Sequence, residues 1–336
     1  MNDITRADVF AQTNDAEANE LVGFSRMSDG RLENVGRYPT GGRGNGTPHL
    51  PSQGSIAIDG ERLLVTNPGS DDVSLFAIGG EPVLVGSVAS GGERPVSITI
   101  RGDRAYVLNA GSATIRGFDL AAGIAPLAGS EFTLAAGTDP AQISFSPSGD
   151  SLVVTDRATN SIIVIALDEQ GLPRDATTYA SSGVTPYGFD FAGDVLVVTE
   201  AFGGMAGAAS ASTYRISGGL ATVSGSIGNS RSEVCWAVAS VDGRHAWVTN
   251  FGDGTISLYA IATDGSLELV DPVAATTVEG VKGIRDAARS ADGRFFYALD
   301  ADAQQVFAYR VAADGGLEAV GATDGLPATV AGLAAR

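Results

Sequence analysis

The chain has 336 residues, 44% of them hydrophobic and 18% charged, with 45 glycines, two histidines and one cysteine. Its net charge of −18 repels nucleic-acid phosphates and anionic lipid, so neither is expected as a partner. A lone Cys235 excludes an intramolecular disulfide, no Cys/His metal spacing is present, and no stretch reaches the ~18 apolar residues that span a bilayer. The chain as given is expected to be soluble and cytoplasmic, or exported if a leader has been removed.

In chain order, seven aliphatic-aromatic runs each end in an amide or a carboxylate. They are VFAQTN (Asn14), LLVTN (Asn67), AYVLN (Asn109), LVVTD (Asp156), LVVTE (Glu200), AWVTN (Asn250) and FYALD (Asp300). Successive endings lie 42 to 53 residues apart. A fixed period of ~40–50 residues built of short strands is the signature of a β-propeller. The expectation is an all-β, seven-bladed β-propeller of four-stranded antiparallel blades, forming one domain over residues 1–336.

Blade two shows the order within a repeat: SIAI, a turn at Asp59-Gly60, RLLVTN, the loop PGSDD, VSLFAI, then EPVLVGSV. Gly/Asp-rich pairs recur at the first turns of later repeats, as tight hairpins require. The third strands, from ELVGFSR to QVFAYRV, are apolar on both faces, as strands buried between blades should be. The first repeat lacks an innermost strand, and the C-terminal LPATVAGLAAR looks like one with nothing after it. Joining the two closes the ring and removes the sheet edge between first and last blades. A closed ring of this kind is expected to be a monomer.

A propeller blade's first strand starts on the face where its second strand ends. That face therefore carries Gln142, Trp236 and Asp286 from inner strands, beside the seven polar endings. With Asp156, Glu200, Asp300, Arg285 and Tyr187 they outline a polar mouth for a small-molecule ligand. The plainer alternative is that the polar endings only cap strands and satisfy loop amides. Two Gly-rich loops overhang the mouth: residues 39–53, which carry His49, and residues 201–212. Long loops in compact domains often carry function. GGRGNG lacks the strand before and helix after that a phosphate loop demands. His245 falls on the opposite face, and Cys235 reads as a packed thiol. Asp156, Glu200, Asp286 and Asp300 around one axis could perform acid-base work or hold a Ca²⁺-like cation, although no cofactor is required.

With its Asp-Gly hairpins, VTN strand end and VSLFAI-type third strand, the repeat resembles the seven-bladed lactonase family, which includes 6-phosphogluconolactonases and carboxymuconate-lactonising enzymes. The resemblance covers essentially the whole chain, and PAQISFSPSG, TPYGFDF, TEAFGG and GLPATVAGLAA point to a bacterial branch. It implies a histidine before Gln142, where this chain has Ala141. It implies an acid at Asp156, which matches, and an arginine soon after, where Ser161 stands and Arg157 is close. Glu200 matches the glutamate ending blade five's second strand, whereas Tyr187 replaces an arginine. Without those cations sugar-phosphate lactones fit poorly. The expected enzyme hydrolyses or closes a small, carboxylated lactone or ester. Glu200 would be its base or acid, Arg285 its anion clamp with Asp286 alongside, and Gln142 and Tyr187 its polarising partners. Asp156, Arg157, Trp236, Asp300 and His49 would contact substrate. The alternative is a non-catalytic propeller that binds a small ligand or a protein on the same face.

Overall fold

Each repeat folds into one antiparallel sheet because its turn residues reverse the chain at fixed offsets while the intervening runs alternate between two buried faces. A computed structural model describes residues 6–336. Blade one contains β1 (Val9–Gln12), β2 (Glu20–Arg26) and β3 (Leu32–Pro39), and blade two β4 (Ile56–Asp59), β5 (Arg62–Asn67), β6 (Asp72–Ala77) and β7 (Val83–Ala89). Blade three has β8 (Pro95–Arg101), β9 (Arg104–Asn109) and β10 (Thr114–Asp119). Its outer strand is split into β11 (Ala125–Pro126) and β12 (Phe132–Thr133). Blade four runs β13 (Pro140–Phe145), β14 (Ser151–Asp156), β15 (Ser161–Leu167) and β16 (Pro173–Ala180). Blade five follows with β17 (Pro186–Ala192), β18 (Val195–Glu200), β19 (Ser210–Ile216) and β20 (Leu220–Gly228). Blade six is β21 (Val234–Ala239), β22 (His245–Asn250), β23 (Thr255–Ile261) and β24 (Leu267–Thr276). Blade seven is β25 (Ile284–Arg289), β26 (Phe295–Asp300), β27 (Gln305–Val311) and β28 (Leu317–Thr323), and the last strand is β29 (Leu333–Ala335). Gly60, at φ +60°, makes the β4–β5 turn that Asp59-Gly60 announces.

The core is a ring of packed interfaces between blades. Period-two alternation sends successive side chains of one strand into different neighbours. On β1, Val9 and Ala11 pack with Phe295, Tyr297 and Leu299 of blade seven, while Phe10 packs with Leu63 and Phe76 of blade two. Burying such a side chain contributes roughly 1.5–3 kcal/mol, so the blade-to-blade contacts dominate stability.

The ring closes as the sequence implies. β29 pairs antiparallel with β1, through Val9↔Ala335, Phe10↔Ala334 and Ala11↔Leu333, and stands innermost in the order β29-β1-β2-β3. Further ties hold it: the Thr329 hydroxyl donates to Thr13 O at 2.8 Å, and Arg336 donates its amide to Asp8 O at 2.9 Å and its guanidinium to Ile78 O. Among the described residues no helix is long and apolar enough to cross a membrane.

Candidate functional site

The inner strands β8, β13, β17, β21 and β25 each have a register shift directly after their first residue. A bulge leaves one residue out of the ladder and re-aims its side chain. The residues so released include Tyr187, Cys235 and Arg285, and all three line one cavity of about 510 Å³ on the face where inner strands begin. Second strands end on the same face. The residues just after their polar endings, Arg157, Ala201 and Phe251, complete the wall with Asp139, Glu233, Gly203 and Gly204. The loop of residues 39–53 lays His49 against it.

Within the cavity the polar groups are tied to one another. Arg157 donates to Asp139 Oδ1 at 2.7 Å and to the Tyr187 hydroxyl at 3.3 Å, with its guanidinium 5.1 Å above the Tyr187 ring. The same hydroxyl lies 3.2 Å from His49 Nε2. The Arg285 guanidinium stacks 3.9 Å over the Phe251 ring, its side chain is 14% exposed, and its Nε is buried without a partner. The nearest carboxylate, Asp302, is 3.9 Å away. At the rim Lys282 donates to Glu233 at 2.6 Å and lies 5.3 Å from the Phe251 ring.

Burial, aided by the charges of Arg285 and Arg157, lowers the His49 pKa to about 4, so the imidazole is neutral at physiological pH. Burial also raises the Tyr187 phenol well above its ordinary value and pushes the Cys235 thiol up to about 12. Cys235 is thus a neutral wall atom and no thiolate nucleophile, in line with its sequence reading.

The polar strand endings belong to a different layer. Asn67, Asn109, Asp156, Glu200, Asn250 and Asp300 are buried, and their side chains hydrogen-bond to adjoining strands and loops. Glu200 accepts from Gly183 N at 2.9 Å, Ser210 Oγ at 2.7 Å, Ser212 Oγ at 2.5 Å and Ser226 Oγ. It thereby ties β18 to β19 and β20 and is not among the cavity residues. This corrects its expected position at the reacting centre: four donors already occupy its oxygens. Asp156 accepts from Asp139 N at 2.7 Å, Ala158 N at 3.1 Å and the Thr159 hydroxyl. Asp300 accepts from Thr277 Oγ1 at 2.7 Å and Ala303 N at 2.9 Å. Both cap loops, and neither is among the cavity residues.

Three more expected residues sit deeper. Trp236 is fully buried beneath Tyr187, ring centroids 5.1 Å apart, and donates Nε1–H to Arg285 O at 2.5 Å. Gln142 and Asp286 line the central channel, a separate space of about 330 Å³. Gln142 exchanges two hydrogen bonds with the backbone of Phe189, at 2.8 and 2.7 Å. Asp286 accepts from Leu333 N and Ala287 N, both at 2.8 Å, so it clamps the closing strand. Burial pushes its carboxyl up to about 7. The four carboxylates therefore do not converge, and among the described residues no three His, Cys, Asp or Glu side chains group as metal ligands.

Of the expected residues, then, His49, Arg157, Tyr187 and Arg285 meet in one cavity. Sequence reasoning passed over Phe251 and Asp139, and it read Cys235 as a packed thiol without placing it in the cavity wall. Their signal was available: each lies next to a strand end, one residue from a position with a periodic structural role.

Comparison with known proteins agrees with this architecture. A family model described as a lactonase with a 7-bladed beta-propeller matches residues 124–201 and 201–330. No curated protein matches the sequence. Among solved structures, the periplasmic gluconolactonase of Pseudomonas aeruginosa superposes with a TM-score of 0.73 at 17% identity, covering 97% of this chain and 98% of that one. A candidate 6-phosphogluconolactonase of Bacteroides fragilis gives 0.72 at 15% identity, with 97% of both chains covered. Virginiamycin B lyase of Staphylococcus aureus gives 0.58 at 15% identity, over 79% of this chain and 82% of that one. At such identities these structures share the fold.

Proposed function

The chain belongs to the seven-bladed β-propeller lactonase family, and from that premise we propose that its cavity hydrolyses a small lactone bearing a carboxylate. The observation that carries the reading is the pair of guanidinium groups, Arg157 and Arg285, lining one open cavity together with a neutral His49. Arg285, with an unpartnered Nε and a single long contact of 3.9 Å to Asp302, is the cation that takes the substrate carboxylate. Arg157 faces the oxyanion that develops when the lactone carbonyl is attacked.

Proton transfer runs through two side chains. Water adds to the carbonyl carbon and gives its proton to the Tyr187 oxygen as the Tyr187 proton passes to His49 Nε2, 3.2 Å away. Collapse of the tetrahedral intermediate breaks the ring C–O bond, and the proton returns to the leaving alkoxide. Nothing is oxidised or reduced. Bound carboxylate offsets the two arginines that depress the His49 pKa, so substrate strengthens its own base.

The test is a pH-stat assay over carboxylated and neutral lactones. Wild type should release acid from carboxylated members, with kcat/KM falling below about pH 4 and kcat falling at a higher pH. Tyr187→Phe and His49→Gln should each lose roughly 10²–10⁴ in kcat. Turnover unchanged in both variants would refute the assignment, and no turnover of any lactone would favour a binding propeller instead.

A further inference from the structure

Below the cavity, from blade three to blade seven, a belt of side chains laces each inner strand to the next, and it has a gap at blade five. In blades three, four, six and seven the third residue of the inner strand makes the link. In blade three, Ser97 Oγ accepts from Ile143 N of blade four at 3.2 Å. In blade four, Gln142 takes both backbone groups of Phe189 in blade five. In blade six, Trp236 donates to Arg285 O of blade seven, and in blade seven Asp286 takes Leu333 N of the closing strand. Blade five has Gly188 at this position and no side chain to offer.

The gap is filled from elsewhere in the chain. Gln53, at the end of the 39–53 loop, donates Nε2–H to Ala237 O at 2.8 Å and accepts from Ala237 N at 3.3 Å through Oε1. This is the bond pair that Gln142 makes one blade earlier, aimed at the equivalent fourth residue of the next inner strand. The Gln53 carbonyl is fixed as well, accepting from Ser97 Oγ at 2.6 Å. A Cβ on residue 188 would stand 2.6 Å from Gln53 Oε1, so the glycine leaves room for the intruding side chain.

The other end of the loop is pinned to blades one and two. Asn45 N donates to Asn14 Oδ1 at 3.0 Å, and Gly44 N donates to Asp15 O at 2.6 Å. Between these anchors His49 lies within hydrogen-bond distance of a blade-five side chain, Tyr187. We propose that Gln53 is a positioning residue: a latch that substitutes for blade five's missing belt side chain and thereby sets His49 against Tyr187 in the cavity. The catalytic part of this claim rests on the reading of His49 as the proton acceptor; the placement of His49 does not.

That independence fixes the experiment. The protein has two histidines, so both imidazoles can be followed by NMR through a pH titration. In wild type His49 should titrate near 4. In Gln53→Ala the loop keeps its carbonyl bond from Ser97 but loses the side-chain tie to Ala237, and His49 should move toward ~6.5, the value of a solvated imidazole. The resonances of His245, on the opposite face, should keep their wild-type chemical shifts and report that the ring is intact. Gln53→Met keeps the length but makes no hydrogen bonds to Ala237, so it should release His49 too, and it serves if the alanine variant does not fold. In lactone turnover both variants should lower kcat more than they raise KM. A His49 pKa still near 4 in a folded Gln53 variant overturns the latch. A released His49 with wild-type kcat upholds the latch and overturns the role of His49 as base.

Discussion

Replacing Glu200 separates a strand-tying carboxylate from a catalytic one. The side chain holds four donors in a fully buried setting: the Gly183 amide and the hydroxyls of Ser210, Ser212 and Ser226. Truncation to alanine leaves all four without their acceptor. A buried donor left unsatisfied costs about 1–3 kcal/mol, although hydroxyls can rotate toward other partners. Counting the amide in full, the hydroxyls in part and the vacated volume, Glu200→Ala should cost about 3–5 kcal/mol. Glu200→Gln preserves the shape and one acceptor oxygen, and the serines can turn to accept from its NH₂, so it should cost about 1–2 kcal/mol. Urea unfolding read by tryptophan fluorescence gives both values. Activity measured well below the unfolding midpoint should stay within a few-fold of wild type in the glutamine variant. An unchanged midpoint combined with a hundredfold loss of kcat would refute the reasoning and return Glu200 to the reacting centre.

Other outcomes follow from the same structure. Deleting residues 326–336 removes β29 and the buried Leu326, Val330 and Leu333, exposing the inner edge of β1; the product should aggregate or melt far below wild type in a thermal scan. Cys235, its thiol pushed up to about 12 by burial, should resist iodoacetamide at pH 8 in the native state and react once unfolded, as mass spectrometry can show. Asp286, raised to about 7, holds a proton in the folded state that it loses on unfolding above pH ~4. Its contribution is therefore full below about 4 and is lost as pH rises through 7. Melting temperature should fall from this source between about pH 4 and pH 7, and less so in Asp286→Ser, which offers Leu333 N the kind of bond Ser97 gives Ile143.

The blade count was legible because it depends on patterns repeated seven times. Asp-Gly pairs, alternating runs and terminal amides reinforce one another, and the orphan LPATVAGLAAR segment names its own place. The cavity depends instead on offsets of one residue, and alternation sends adjacent side chains to opposite surroundings. Reading Glu200 and Asp156 as site residues chose the conspicuous polar endings, while the wall is made by their successors Ala201 and Arg157. The bulges that aim Tyr187, Cys235 and Arg285 at the cavity are backbone irregularities with no residue type of their own. Gln53 was hidden for another reason. Its partner Ala237 lies 184 residues away, and only the absence of a side chain at Gly188 hints that something must enter from outside the repeat.

The central claim, that Arg285 receives a substrate carboxylate in this cavity, is tested most directly by comparing a carboxylated lactone with its methyl ester. The quantity is the ratio of their kcat/KM values in wild type and in Arg285→Gln. A hydrogen bond to a charged group contributes about 1.5–3 kcal/mol, so wild type should favour the acid roughly 10- to 100-fold, and the variant should lose most of that preference. A wild-type ratio near one, or a preference that survives in Arg285→Gln, would contradict the account.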